Sequence, residues 1–106
     1  MNRDSIIASA LRTIRVQSES VSGLAAFIQD GFAEAVGLIS SQKGRVVVTG
    51  IGKSAIIAQK IVATFNSTGT PSLFMHAADA IHGDLGMIRE EDVVMVISKK
   101  IGRAHV

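Results

Sequence analysis

Arg45-Val-Val-Val-Thr-Gly-Ile-Gly-Lys-Ser-Ala55 is the stretch that decides the fold. Its first half is a β-branched run, continuous and not alternating, as expected of a parallel strand buried on both faces. Gly50-Ile51-Gly52 then makes a tight turn, and a helix follows on which Ile57, Ile61 and Phe65 share one face, with Ser54 as its expected cap. That helix runs out near Thr68-Gly69. Thr70-Pro71 stops it, because the residue before a proline avoids the α region. Ser72-Leu-Phe-Met-His76 reads as a second strand and Asp92-Val-Val-Met-Val-Ile-Ser98 as a third, with a loop or short helix over 77–86. Strands alternating with helices predict a parallel sheet.

Upstream of this stretch the period is helical. Asp4 or Ser5 can cap a first helix carrying Ile6, Ile7, Leu11 and Ile14. Ser20 or Ser22 can start a second, on which Leu24, Phe27, Ile28, Phe32, Val36 and Ile39 recur every three or four residues. Lys43-Gly44 ends it, with Gly44 in the position just past the C-cap. The predicted organisation is therefore N-terminal helices over 1–43 and an α/β region from 44 to 100.

Composition excludes several classes. The chain has 106 residues, 47% of them hydrophobic, which suits one small globular domain and argues against disorder. Eleven Lys+Arg against nine Asp+Glu leave a net charge of +2, with no basic run longer than Lys99-Lys100, so nucleic acid is not an expected partner. The absence of cysteine removes disulfides, thiolate zinc sites and cysteine nucleophiles. No apolar run approaches the length of a membrane span, and the polar start Met1-Asn-Arg-Asp-Ser5 lacks the layout of a signal peptide. The expected compartment is the cytoplasm, with no membrane partner.

A strand running through a glycine turn into a helix presents free N–H groups and the positive end of a helix dipole to an anion, and Lys53 adds a full charge there. The alternative is a tight turn beside a solvated lysine. A Walker A loop would need its first glycine at position 47, which is Val47. Gly50, Gly52 and Ala55 satisfy the dinucleotide pattern G-x-G-x-x-G/A. The acid that pattern expects at the end of the next strand is missing: His76 closes the strand, and Asp79 comes three residues later. Ser67-Thr-Gly-Thr70 groups three hydroxyls beside a glycine, and either ends the helix or contacts a ligand. His76 and His82, with Asp79 and Asp84, are candidates for proton transfer near neutral pH or for a divalent metal, although His76-x5-His82 matches no standard zinc spacing.

Taken together, Gly50-Ile-Gly-Lys-Ser54, Ser67-Thr-Gly-Thr-Pro71 and His82-Gly-Asp-Leu-Gly-Met87 resemble the sugar isomerase (SIS) domain of the arabinose-5-phosphate isomerases, over about Gly44 to Ser98. The resemblance implies a flavodoxin-like three-layer α/β domain built on a parallel sheet. It also implies interconversion of D-ribulose 5-phosphate and D-arabinose 5-phosphate, on the route to the lipopolysaccharide sugar Kdo or to capsule. It makes Lys53 and His82 catalytic, with Gly52, Ser54, Gly69, Thr70 and His82 binding substrate. His76 becomes a metal position where zinc is inhibitory, and no cofactor is required. The partner is a phosphosugar, and the full-length enzyme is expected to be a homotetramer. A non-catalytic SIS module that binds a phosphosugar as effector is the alternative, and a dinucleotide-binding oxidoreductase a third.

The sequence departs from the family in places. Ala55 and Ile56 stand where a glycine and a histidine are usual, and Ala77 replaces a proline. After Ser98 the family's S-x-S-G-E phosphate loop, with its carboxylate, gives way to Lys99-Lys-Ile-Gly-Arg-Ala-His-Val106. Ile101 to Val106 looks like a translated DNA sequencing adapter. The expectation is an incomplete, inactive domain with a non-native tail over 101–106, from an enzyme continuing through the phosphate loop and a pair of CBS domains. Valine and isoleucine on the third strand are expected to be exposed.

Overall fold

Val46, Val47 and Val48 are wholly removed from solvent, and Thr49 and Gly50 are buried with them, so every residue of strand β1 (Val46–Gly50) is interior. The computed structural model describes residues 2–78 and 83–99. By contacts the chain divides into two units, Met1–Val36 and Gly37–Val106.

In the second unit, β1 pairs in parallel with β2 (Ser72–His76) on one side and with β3 (Val93–Val96) on the other, giving the order β2-β1-β3. Val46 lies opposite Ser72 and Val93, and Gly50 opposite His76. Helix α3 (Lys53–Ser67) connects β1 to β2. Side chains alternate along a strand, so Val46 and Val48 face one side of the sheet and Val47 the other. Val46 and Val48 close on Ala58 of α3, with Ile39, Ile61, Phe65 and Phe74 packed around them. The parallel α/β sheet expected from the sequence is the one formed. The α3 face departs in detail: the buried helix residues are Ala55 and Ala58, whereas Ile57 is 53% exposed. Small residues there let the helix approach the central strand closely. On β3 burial alternates: Val94 and Val96 are exposed, as expected, whereas Ile97, just past the strand, is half-buried against the core and not exposed as expected.

α3 ends as its residues predict. The Thr70 N–H donates to the Phe65 carbonyl at 2.8 Å and the Gly69 N–H to the Asn66 carbonyl at 3.5 Å, around Gly69 at φ +97°. This is the glycine-closed helix end in which two orphan carbonyls are satisfied.

The N-terminal expectation is corrected. Helix α1 (Arg3–Gly23) is one continuous element capped by Asn2, whose side chain accepts from the Ser5 N–H at 2.8 Å while the Ser5 hydroxyl oxygen accepts from the Asn2 N–H. Ser20 does not start a second helix; its hydroxyl bonds back to the Val16 carbonyl at 3.0 Å. A 3₁₀ turn (Leu24–Phe27) follows. Ile28, at φ −84° and ψ 89°, leaves the helical region before helix α2 (Asp30–Ser41) begins. Asp30 lies in the first turn of α2, where the helix dipole favours a negative charge.

Gly44 also has a different role from the one expected, since α2 ends before it. An added Cβ there would lie 2.6 Å from Asp92 Oδ1 and 2.9 Å from the Glu91 carbonyl. The space is taken by a clamp joining the starts of β1 and β3. The Asp92 side chain is fully buried and accepts four hydrogen bonds: from the Arg45 N–H at 2.8 Å, Arg45 Nε at 3.4 Å, Arg45 Nη2 at 2.9 Å and the Arg89 N–H at 2.8 Å. Arg45 Nη2 also donates to the Met87 carbonyl at 2.8 Å. The Arg45 guanidinium, and next the Arg89 amide, hold the Asp92 carboxyl well below the usual carboxylate range.

A carboxylate whose pKa is depressed on folding adds stability above the ordinary Asp range, near pH 4, and that stability is lost as pH falls below it. Urea unfolding should therefore show a lower midpoint at pH 3 than at pH 7, and Asp92→Asn should lower the midpoint at pH 7 while shrinking that difference. Val47→Ala, which empties part of a fully buried site, should cost about 2 kcal/mol in the same assay.

Candidate functional site

Because all three strands run the same way, their C-terminal ends meet at one edge, where parallel α/β sheets hold ligands. The chain turns from β1 into α3 at this edge, and two glycines permit it for different reasons. A Cβ on Gly50 would fall 2.9 Å from the Ser54 carbonyl group, so only a residue without a side chain lets the first turn of α3 lie against the end of β1. Gly52 has open space around it but adopts φ +63° and ψ −131°, a backbone state that L side chains rarely enter.

Gly52, and not Ser54, is the N-cap of α3, and no side chain caps the helix. The Ala55 N–H closes on the Gly52 carbonyl at 3.1 Å. The amides of Lys53 and Ser54 precede any intrahelical acceptor, as the first amides of a helix do, and are left to a ligand at the positive end of the dipole. A side-chain cap would have competed for them.

Above the turn lies a cavity of about 830 Å³. Gly50, Ile51, Lys53 and Ser54 form one wall, with Ile57 of α3 beside them. Val96, Ile97, Ser98 and Lys99, leaving β3, form another, and Ala77 contributes from just past β2. The Ile97 N–H donates to the Thr49 carbonyl at 2.9 Å, which ties the segment after β3 to the end of β1. The described lining contains two cations, Lys53 and Lys99, and no carboxylate. Neither lysine makes an ion pair among the described residues. Such a cavity is suited to an anion with an apolar or hydroxylated body.

The residues singled out by the sequence separate into three groups. Lys53 and Ser54 line the cavity, and Gly52 shapes the turn beneath it. His76 stands at the same edge, opposite Gly50 in the ladder but off the cavity wall. Its Nδ1 accepts from the Ala78 N–H at 3.1 Å, and its ring meets Phe74 edge-on at 6.2 Å. No three potential metal ligands come together among the described residues, so His76 there offers zinc no completed site. His82 and Asp79 lie outside the described residues. Gly69 and Thr70 sit at the opposite edge, where the Pro71 carbonyl accepts from the Val46 N–H at 2.9 Å. At about 3.3 Å per residue, the strand separates them from the Lys53 turn by roughly 16 Å.

Lys99, noted in the sequence only within a basic pair and at the departure from the family's phosphate loop, is a cavity residue that the sequence reading does not assign to the site. The signal was present: in a parallel sheet, residues just past the ends of neighbouring strands share an edge. Lys99 follows the third strand much as Lys53 follows the first.

The arrangement defines a parallel α/β domain with a glycine turn and an uncapped helix start at its C-terminal edge. The SIS domain family model matches residues 38–105, and the chain belongs to that family. It is 49% identical over 100 residues to arabinose 5-phosphate isomerase KdsD of Pseudomonas aeruginosa, an overlap covering 94% of this chain and 31% of that protein. It is 43% identical over 95 residues to arabinose 5-phosphate isomerase GutQ of Escherichia coli K12, covering 90% and 30%. Among solved structures, E. coli CFT073 c3406 in complex with arabinose 5-phosphate matches with a TM-score of 0.85 at 42% identity, over 92% of this chain and 52% of that one. The chain thus spans about a third of the length of the curated relatives it matches. No helix among the described residues is long and apolar enough to cross a membrane.

The two glycines should respond differently to a methyl group. Gly52→Ala should cost about 1–2 kcal/mol in thermal unfolding, the penalty of a side chain at positive φ. Gly50→Ala should lose more, because helix backbone must move to admit it, and should also weaken binding of inorganic phosphate measured by calorimetry.

Proposed function

We propose that this domain serves an aldose–ketose isomerase that interconverts D-ribulose 5-phosphate and D-arabinose 5-phosphate. The observation that carries the reading is the cavity at the C-terminal edge, where uncapped helix amides, Lys53 and Ser54 meet an apolar wall without an acid among its described residues. The names of the KdsD and GutQ relatives, and the arabinose 5-phosphate held by the c3406 protein, support the sugar phosphate in particular.

The chemistry moves a proton between C1 and C2 through an enediol. It needs a base active near neutral pH and a cation or donor for the oxyanion that develops. Lys53 and the amides beside it hold the phosphate or steady that oxyanion, and His82 is the acid–base candidate. Gly69 and Thr70, which the family resemblance makes substrate contacts, lie at the far edge of the sheet from this cavity. No metal step or cofactor enters the proposed reaction. It belongs in the cytoplasm, on the route to the lipopolysaccharide sugar Kdo or to capsule, with no nucleic-acid partner.

Calorimetric titration with D-arabinose 5-phosphate should show saturable binding that unphosphorylated D-arabinose does not match. Lys53→Ala should weaken it at least tenfold, about 1.4 kcal/mol or more. Absence of binding, or equal binding of the two sugars, would overturn the reading. In the full-length enzyme, His82→Asn should retain binding and remove turnover of D-ribulose 5-phosphate. Saturable binding without turnover by the full-length protein would favour the effector-binding module instead.

A further inference from the structure

The geometry points to Lys99 as a second cationic anchor, one that makes this cavity selective for a phosphate monoester dianion over a neutral sugar. The inference rests on reading the cavity as a phosphosugar site and deepens it by naming a residue that no motif of the glycine turn contains.

The position of Lys99 follows from the sheet. β3 runs parallel to β1, with Val96 opposite Thr49, and the Ile97 N–H to Thr49 carbonyl bond of 2.9 Å carries the chain one residue past the ladder in the same register. Ser98 and Lys99 are thereby delivered to the edge where Gly50 turns toward Lys53, and Lys99 lines the same cavity. Its ammonium is exposed and makes no ion pair among the described residues.

Charge decides what two such lysines accept. A phosphate monoester carries roughly −1.5 to −2 at neutral pH. Lys53 and the start of α3 supply about one charge and a half. A second lysine raises that to about two and a half, enough to neutralise the dianion fully, which Lys53 and the helix start alone do not. Ile51, Ile57 and Val96 in the wall replace water near the ligand, which strengthens each ion pair made there. A neutral sugar gains nothing from Lys99, so the residue contributes to discrimination and not to binding in general. Its long flexible stem acts as a mobile point charge and imposes no fixed geometry, so arginine should substitute for it.

The test is calorimetric titration of wild-type protein, Lys99→Gln and Lys99→Arg with three ligands: D-arabinose 5-phosphate, inorganic phosphate and D-arabinose. Each titration is run at low and high salt, with circular dichroism to confirm equal folding. Lys99→Gln should weaken both phosphate ligands by about tenfold and flatten their salt dependence, leaving D-arabinose unaffected. Lys99→Arg should restore affinity to within about threefold. Wild-type affinity and salt dependence in Lys99→Gln would overturn the inference and leave the phosphosugar reading standing. A loss in Lys99→Gln that arginine does not restore would overturn the role of charge. If wild-type protein binds inorganic phosphate through Lys99 but not D-arabinose 5-phosphate, the anchor stands and the sugar reading falls. If neither anion binds, both fall.

Discussion

Complete burial of β1, between two parallel neighbours and under α3, is the constraint on which the rest of this domain depends. Its backbone is paired on both sides and its valines serve both faces, so no side chain along it is available to a ligand. Chemistry has to be placed past the end of the strand. Gly50 is where that displacement occurs: its lack of a side chain brings the first turn of α3 against the strand end, and the uncapped amides of the helix then face outward over the sheet edge. The same close packing selects Ala55 and Ala58 as the buried residues of α3 and leaves larger apolar side chains to the periphery.

The two ends of the sheet divide the work. At the N-terminal end, the buried Asp92 carboxylate joins the start of β3 to Arg45 at the start of β1, with Gly44 leaving room for it. A buried charge of this kind is tolerable because four donors surround it and two of them belong to the positively charged Arg45 guanidinium. The clamp holds β3 alongside β1, and the outgoing segment of β3 is what carries Lys99 to the cavity at the opposite end. Positive charge gathers there without a compensating acid among the described lining residues. An ion pair at one end of the strands thus helps to place a lysine at the other.

Legibility in the sequence followed the range of the interactions. The run Val46-Val-Val48, the second strand Ser72–His76 and the close of α3 at Gly69 rest on neighbours in the chain, and each is found where its residues predict. Errors arose where local signals competed. Ser20 is a good capping residue yet is spent inside α1, and Asp4, Ser5 and Ser54 lie inside their helices because Asn2 and Gly52 took the caps. Gly44 suited a helix end but answered to a carboxylate 48 positions further along the chain.

Legible in the residues alone were the parallel α/β arrangement and the glycine turn between β1 and α3, since β-branched continuity, glycine placement and a proline stop act through local sterics. Three things were decided only by the tertiary structure. One is that Lys99 joins Lys53 in one cavity, which depends on the parallel pairing of β1 with β3. Another is that Gly69 and Thr70 lie across the sheet from that cavity, because α3 returns the chain to the opposite edge. The last is the pairing of Arg45 with Asp92, 47 residues apart. Each depends on which strand ends share an edge, a property of strand order and direction that no window of neighbouring residues contains.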